Sequence, residues 1–324
     1  MPQTIRGQNV LVTGGAGFIG SHLVDALLAA DAARVVAVDN LFLGRRENLE
    51  PARAGGDRFA FVEADAADID RMRTLLGDYG IRIVFNLAVI PLPTSLVEPK
   101  WSTDVNVHIA TTVCDLAREG AFETLIHFSS SEALGTALTV PMAEDHPLEP
   151  MTPYAASKAA GDHVVLSYVR TFGLDAAILR PFNNYGPRQN DKAYAGIIPI
   201  VINRVRAGEP VEIFGDGEQT RDFIYVQETA RAAVAMVGAE ATRGRVTNVA
   251  SGRETSVNTL VAALLEALGA PDHPVVHGPP RIGDVRRHLA DVSRARERLG
   301  FEPTVGLEEG LRETVRWYRG QADV

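Results

Sequence analysis

The chain has 324 residues, 46% hydrophobic and 23% charged, the composition of an ordinary soluble globular protein with room for one large domain or two closely packed ones. Its net charge of −9 argues against a nucleic-acid partner, which needs a basic surface, although a local arginine cluster can still hold a small anion. The lone cysteine, Cys114, rules out an intramolecular disulfide and fits a reducing cytoplasm; no apolar run reaches the roughly 20 residues that cross a bilayer, and the first apolar run leads straight into glycines rather than a signal-peptide cleavage site.

The first element expected is a buried strand, Asn9 to Thr13, short, β-branched and ending in glycines. Apolar residues at helical spacing from Phe18 to Ala30 predict a helix. Further strands are expected at Arg34 to Val38, Phe59 to Glu63, Ile81 to Leu87, Leu125 to Phe128 and Ala176 to Leu179. Helical patterns at Ile69 to Leu76, Thr103 to Arg118 and Pro153 to Phe172 separate the later ones. This alternation implies a parallel sheet covered on both faces. Beyond about residue 180 proline and glycine become denser. Arg180 to Gly217 reads as loops plus one helix, Ile198 to Ala207. Helices follow at Thr229 to Val237, Thr259 to Leu268, Val292 to Leu299 and Leu307 to Tyr318. With no linker, the C-terminal third reads as a cap packed on the first domain.

The run Thr13-Gly14-Gly15-Ala16-Gly17-Phe18-Ile19-Gly20 joins the first strand to the first helix. Gly14 suits a tight turn with positive φ. Gly17 leaves the backbone open to a pyrophosphate, and Gly20 lets the helix lie close on the strand. The helix N-terminus offers free N–H groups to the anion. Asp39, at the end of the next strand, is placed to accept the ribose hydroxyls and to repel a 2′-phosphate, favouring NAD over NADP. Arg45 and Arg46 follow, either as solvated charges or as phosphate partners.

Tyr154 and Lys158 lie four residues apart at the start of a helix and so share a face. A neighbouring ammonium favours the phenolate, which lets a tyrosine act as a base. By itself Y-x-x-x-K is weak, since a surface helix shows it by chance. Ser129-Ser130-Ser131-Glu132 follows a strand whose carboxyl end is where ligands bind in parallel sheets; a plain polar turn would look the same. His108, His163 and His288 are too scattered for a metal site.

TGGAGFIG, NLAV at 86–89, SSSE at 129–132, YAASK at 154–158, RPFNNYGPRQ at 180–189 and FGDGEQTRDF at 214–223 occur in this order. The series resembles the extended short-chain dehydrogenases/reductases, in the branch of nucleotide-sugar epimerases and dehydratases, from residue 9 to about 318. The resemblance implies a Rossmann-type doubly wound α/β domain over residues 1–180. It also implies a smaller substrate-binding cap, mainly over 181–324, with some segments returning to the first domain. Ser130, Tyr154 and Lys158 match the family's catalytic set, Tyr154 as base and Lys158 on the nicotinamide ribose. Gly14, Gly17, Phe18, Ile19, Gly20, Asp39, Asn40, Asp65, Ala66, Leu87, Ala88 and Asn106 fall on cofactor positions. Thr94, Ser131, Asn183, Phe214, Arg221 and Arg281 fall on positions that face a nucleoside-diphosphate sugar, the two arginines as a diphosphate clamp. A cytoplasmic homodimer built from helices 103–118 and 153–172 is expected by the same likeness.

The reaction class turns on Glu132. Patterns in C4-epimerases resemble SSSATVYG, whereas 4,6-dehydratases resemble STDEVYG or STSELYG, with a glutamate that removes the C5 proton once C4 is a ketone. The expectation is a 4,6-dehydratase; a C4-epimerase is the alternative. A UDP-hexuronate decarboxylase stands further off, since its tyrosine motif resembles YDEGK, and a non-catalytic NAD-binding protein furthest. Leu134 replaces a usual tyrosine, Ser131 stands where many dehydratases carry an aspartic acid, and Gly283 to Arg287 is epimerase-like. The segment Val89 to Ser95 is expected to form a rigid, proline-rich pocket wall.

Overall fold

The structure, a computed structural model, describes residues 4–191, 196–280 and 285–320. The first half runs β1 (Asn9–Thr13), α1 (Phe18–Ala29), β2 (Arg34–Asp39), β3 (Phe59–Glu63), α2 (Ile69–Asp78), β4 (Ile83–Asn86), α3 (Leu92–Val97), α4 (Pro99–Arg118), β5 (Thr124–Phe128), α5 (Pro153–Phe172) and β6 (Asp175–Pro181). The second half runs β7 (Asn183–Tyr185), α6 (Ile197–Ala207), β8 (Val211–Phe214), β9 (Thr220–Tyr225), α7 (Val226–Gly238), β10 (Val246–Val249), β11 (Glu254–Ser256), α8 (Val257–Leu268), β12 (Val275–Gly278), α9 (Ser293–Leu299) and α10 (Leu307–Gly320).

Seven parallel strands form the central sheet in the order β10-β6-β5-β4-β1-β2-β3. The order reverses between β1 and β4, which opens a crevice at the carboxyl ends of those strands. Alternation along β1 explains its unbroken apolar run. Val10 and Val12 pack with Leu23, Val24 and Leu27 of α1 and Met236 of α7, while Leu11 packs on the other face with Met72 of α2, Val113 of α4 and Val165 of α5. Each such fully buried side chain contributes roughly 1.5–3 kcal/mol.

A second core lies between α6, α8 and α10 and a three-stranded sheet β11-β9-β7, with Ile202, Leu264, Leu311 and Tyr185 buried in it. A two-stranded parallel sheet, β12-β8, flanks it. The chain after residue 180 also returns to the central sheet: β10 pairs with β6 (Val246 beside Ile178), and α7 packs on α1. The sequence reading did not foresee α3 or any of the strands β7 to β12, of which only β9 is as long as 6 residues. Runs of 3 or 4 strand residues are too short to show a period, and α3 is a single helical segment of 6 residues.

The glycine turn behaves as its spacing predicts. Gly14 has φ +66°, and a Cβ on Gly20 would sit 2.1 Å from the Gly14 carbonyl oxygen. A Gly20→Ala variant is therefore expected to lose about 1–3 kcal/mol of stability through overpacking, measured as a lowered denaturation midpoint with unchanged slope.

Candidate active site

The seat of the site is the turn between β1 and α1. Gly17 caps α1 without any side-chain hydrogen bond, and no acidic residue occupies the first turn, so the leading N–H groups stay open to an anion. Asp39 closes the same turn. Its carboxylate accepts from the Ala16 N–H at 3.0 Å and the Leu41 N–H at 2.8 Å. Burial pushes its pKa up, and these backbone donors oppose that shift. A Cβ on Gly44 would collide with this carboxylate at 2.6 Å, so a glycine keeps it accessible. Asp65 makes a local turn, accepting from the Ala67 N–H at 2.9 Å.

A cavity of about 480 Å³ opens along these groups. Gly14, Gly17, Phe18, Ile19, Gly20, Asp39, Asn40, Asp65, Ala66, Leu87 and Ala88 line one end of it, and Ser130, Ser131, Glu132, Tyr154, Lys158 and Asn183 the other. Open helix N–H groups, side-chain-free glycines and a carboxylate at the end of β2 fit a dinucleotide's diphosphate and ribose.

At the far end Ser130 follows β5 and its Oγ accepts from the Glu132 N–H at 3.2 Å. This caps a short 3₁₀ turn, Ser131–Leu134, which carries Glu132 into the cavity. The Ser130 hydroxyl is hydrogen-bonded to the Tyr154 phenol. Thr152 caps α5 by accepting from Ala155, and Pro153 occupies its first turn, which brings Tyr154 and Lys158 to the cavity wall. Lys158 is 6% exposed and donates to the Phe128 carbonyl. Burial pushes Tyr154 up to about 12, with Glu132 adding to the rise and Ser130 opposing it. Burial pushes Lys158 down to about 8 against the pull of Asp162. The expected lowering of the tyrosine by its lysine is thus not found: burial raises the phenol, and the ammonium donates to the Phe128 carbonyl instead.

Other sequence-based assignments are placed differently. Asn106 does not line the cavity. Its amide accepts from the Ile90 N–H at 2.7 Å and donates to the Ile90 carbonyl at 3.0 Å and the Ser157 hydroxyl at 2.9 Å, so it clamps the cavity wall to α5. Thr94 is buried in α3, outside the lining, with no partner for its hydroxyl. Phe214 and Arg221 also stand off the cavity; Arg221 donates to the Thr220 and Val285 carbonyls. Arg281 and Gly283–Asp284 lie outside the described residues. Arg45 pairs with Asp191 and Arg46 with Glu63.

The reading of Val89 to Ser95 as a wall agrees with the lining by Val89 to Pro93. Phe42, Phe182 and Gln189 also line the cavity and were not singled out, since single residues in loops carry no pattern. Among the described residues no cluster of His, Cys, Asp or Glu is placed to hold a metal, and no helix is long and apolar enough to cross a membrane.

A doubly wound sheet with an anion-binding glycine turn, opening beside a Ser–Tyr–Lys set, defines a dinucleotide-dependent enzyme of the Rossmann type. Comparison with known proteins agrees: a profile of the NAD dependent epimerase/dehydratase family matches residues 10–250, and the chain belongs to that family. A UDP-glucose 4-epimerase of Mycolicibacterium smegmatis is 42% identical over 314 residues, 96% of this chain and 99% of that one. The UDP-glucose 4-epimerase of Thermotoga maritima, solved with UDP-glucose, superposes with a TM-score of 0.90 at 36% identity, covering 97% of this chain and 100% of that one. A dTDP-glucose 4,6-dehydratase of Streptomyces venezuelae, solved with NAD bound, gives 0.91 at 33% identity, covering 98% of each chain. The protein is an NAD-dependent enzyme that modifies a nucleoside-diphosphate sugar.

Burial pushes three histidines down, His22, His127 and His288, and the fold is expected to be sensitive to acid. His288 packs on Phe182, with ring centroids 5.3 Å apart, and burial followed by the Arg221 charge pushes it down to about 4. His22 bonds the Pro187 carbonyl at 2.9 Å and is pushed down to about 4 by burial and then by Arg188. Both values lie below that of an unfolded histidine, about 6.5. Between these limits the unfolded chain binds more protons, so stability falls as pH drops from about 6.5 towards 4. Asp222, pushed up to about 6 by burial, works in the opposite direction. Replacing His22 and His288 by glutamine is expected to flatten the acid slope of the unfolding midpoint, read by thermal denaturation across that range.

Proposed function

We propose that the protein is a 4,6-dehydratase acting on a nucleoside-diphosphate hexose. The observation that carries this reading is Glu132, which lines the cavity with Tyr154 and Lys158 and whose charge acts on Tyr154. NAD, held by the glycine turn and Asp39, would supply a reversible hydride acceptor, taking hydride from C4 and giving it to C6. Tyr154 takes the proton of the C4 hydroxyl, and Ser130, bonded to the phenol, shares it. Lys158 holds the nicotinamide ribose, and its ammonium offsets the phenolate that burial disfavours. The C4 ketone acidifies C5. Glu132 removes the C5 proton and passes it to the C6 hydroxyl, which leaves as water beside Ser131; when hydride adds to C6, C5 takes back one proton, balancing the one Tyr154 took from the C4 hydroxyl. Asn183, whose side-chain oxygen is buried without a partner, is assigned to the diphosphate.

The second reading is a C4-epimerase, favoured by the 42% identical relative of that name. It needs the same Tyr154 chemistry but no base at C5. We further propose a cytoplasmic homodimer joined through α4 and α5, which pack side by side, with Cys114 a buried free thiol. The smaller sheets and helices after residue 180 are assigned to the substrate cap.

Mass spectrometry of products from UDP-, GDP-, CDP- and dTDP-hexoses tests the reaction. Loss of one water supports the dehydratase. An epimer of unchanged mass establishes the second reading, loss of carbon dioxide from a hexuronate a decarboxylase, and no product with retained NAD a non-catalytic protein. Tyr154→Phe is expected to lower kcat about 10²–10⁴-fold while bound NAD is kept. Glu132→Gln is expected to leave the bound cofactor reduced after substrate is added, seen by absorbance, with no dehydrated product. An epimerase would be far less sensitive to that change.

A further inference from the structure

Beneath the catalytic helix lies a buried ion pair that the proposed chemistry does not use. Asp162 and Arg180 are each 1% exposed, and the guanidinium donates to Asp162 Oδ2 at 2.9 Å. The Ser129 hydroxyl donates to the same oxygen at 2.7 Å. The other carboxylate oxygen and one guanidinium nitrogen have no partner. Desolvating two charges roughly offsets their attraction, so an apolar pair of similar volume would hold the fold as well. A role other than stability is therefore worth seeking in what the pair touches.

Its three members come from three elements that end at the cavity. Asp162 lies on α5, one turn beyond Lys158. Ser129 directly follows β5 and precedes Ser130, and Arg180 lies at the end of β6, just before Pro181, Phe182 and Asn183 of the lining. Lys158 donates to the carbonyl of Phe128, the residue next to Ser129. The carboxylate and the ammonium thus share one helix face, and both are tied to the end of β5.

We propose that Asp162 is a positioning residue for the reaction: held by Arg180 and Ser129, its carboxylate sets the place and the charge of the Lys158 ammonium. This rests on the reading in which Lys158 acts with Tyr154 in the cavity. The groups around the ammonium are Asp162 and Tyr154 on α5 and His127 on β5, with Arg180 on β6 behind the carboxylate and Glu132 on the Tyr154 side of the cavity. Burial keeps His127 neutral, so Asp162 is the charge that acts on Lys158.

The chain contains only three lysines, Lys100, Lys158 and Lys192, which makes a direct titration feasible. NAD-loaded protein labelled with ¹³C at lysine Cε is titrated by NMR, the Lys158 signal being assigned by its loss in Lys158→Met. Asp162→Asn leaves Arg180 unpaired and is prone to misfold, so Asp162→Asn/Arg180→Met, which removes both charges, is measured beside it. The expected result in the folded variants is a Lys158 midpoint lower by one pH unit, which is about tenfold less ammonium on the alkaline side. The alkaline limb of kcat should move with it while KM changes little, and Asp162→Glu should restore both. An unchanged Lys158 midpoint in the folded double variant would overturn the proposal. So would a kcat profile, per NAD-loaded molecule, equal to that of the parent. Should no nucleotide sugar be turned over, the reaction reading fails, yet the lysine titration still decides the role of Asp162.

Discussion

The architecture depends on one backbone contact, the approach of α1 to the turn that precedes it. A Cβ on Gly20 would stand 2.1 Å from the Gly14 carbonyl oxygen and one on Gly15 2.7 Å from the Ala37 Cβ, so no side chain fits at either point. Because the helix can lie this close, its N-terminus ends at the carboxyl edge of β1. The first N–H groups then face the crevice made by the reversal of strand order, and Asp39 reaches back from β2 to bind Ala16. The open helix N-terminus and the place of the Asp39 carboxylate beside it are consequences of one steric allowance.

A polar line then crosses the sheet from that turn to the catalytic end. The Thr13 hydroxyl donates to Asn86 at 2.8 Å and accepts from the Leu87 and Ala88 N–H groups, and Asn86 bonds His127 at 3.1 Å. These groups join β1, β4 and β5 at the ends that line the cavity. Next to them the ion pair of Asp162 and Arg180 joins α5 and β6. Two buried polar sets, one across β1, β4 and β5 and one joining α5 to β6, thus border the cavity at neighbouring strand ends.

Burial supplies the chemistry as well as the rigidity. Desolvation raises Tyr154, which disfavours the phenolate, and lowers Lys158 to about 8, which still leaves it mostly an ammonium at neutral pH. In such a low-dielectric cavity each neighbouring charge acts strongly. The proton leaves the tyrosine's substrate partner most readily when positive charge stands beside the phenolate. Glu132, on the same wall, carries charge of the opposite sign. That contrast suits a site in which one group accepts a proton from oxygen and another from carbon.

The order of elements, the glycine turn, Asp39 and the Tyr154–Lys158 pair were readable from the sequence because each is local: a period, a spacing or a steric requirement carried by adjacent residues. The Ser129–Asp162–Arg180 cluster was not, since its members are up to 51 residues apart and each looks ordinary alone. Asn106 was expected beside the cofactor and instead clamps the cavity wall, because the direction of a helical side chain depends on what packs against it. β10 was missed because 4 residues show no pattern until β6 offers them an edge. By itself, then, the sequence determined the fold class, the glycine turn and the spacing that sets Tyr154 and Lys158 on one wall of the cavity. Only the tertiary structure decided that Asp162 pairs with Arg180 and Ser129 and which groups lose their water, since charge and solvation depend on neighbours that folding brings from far along the chain.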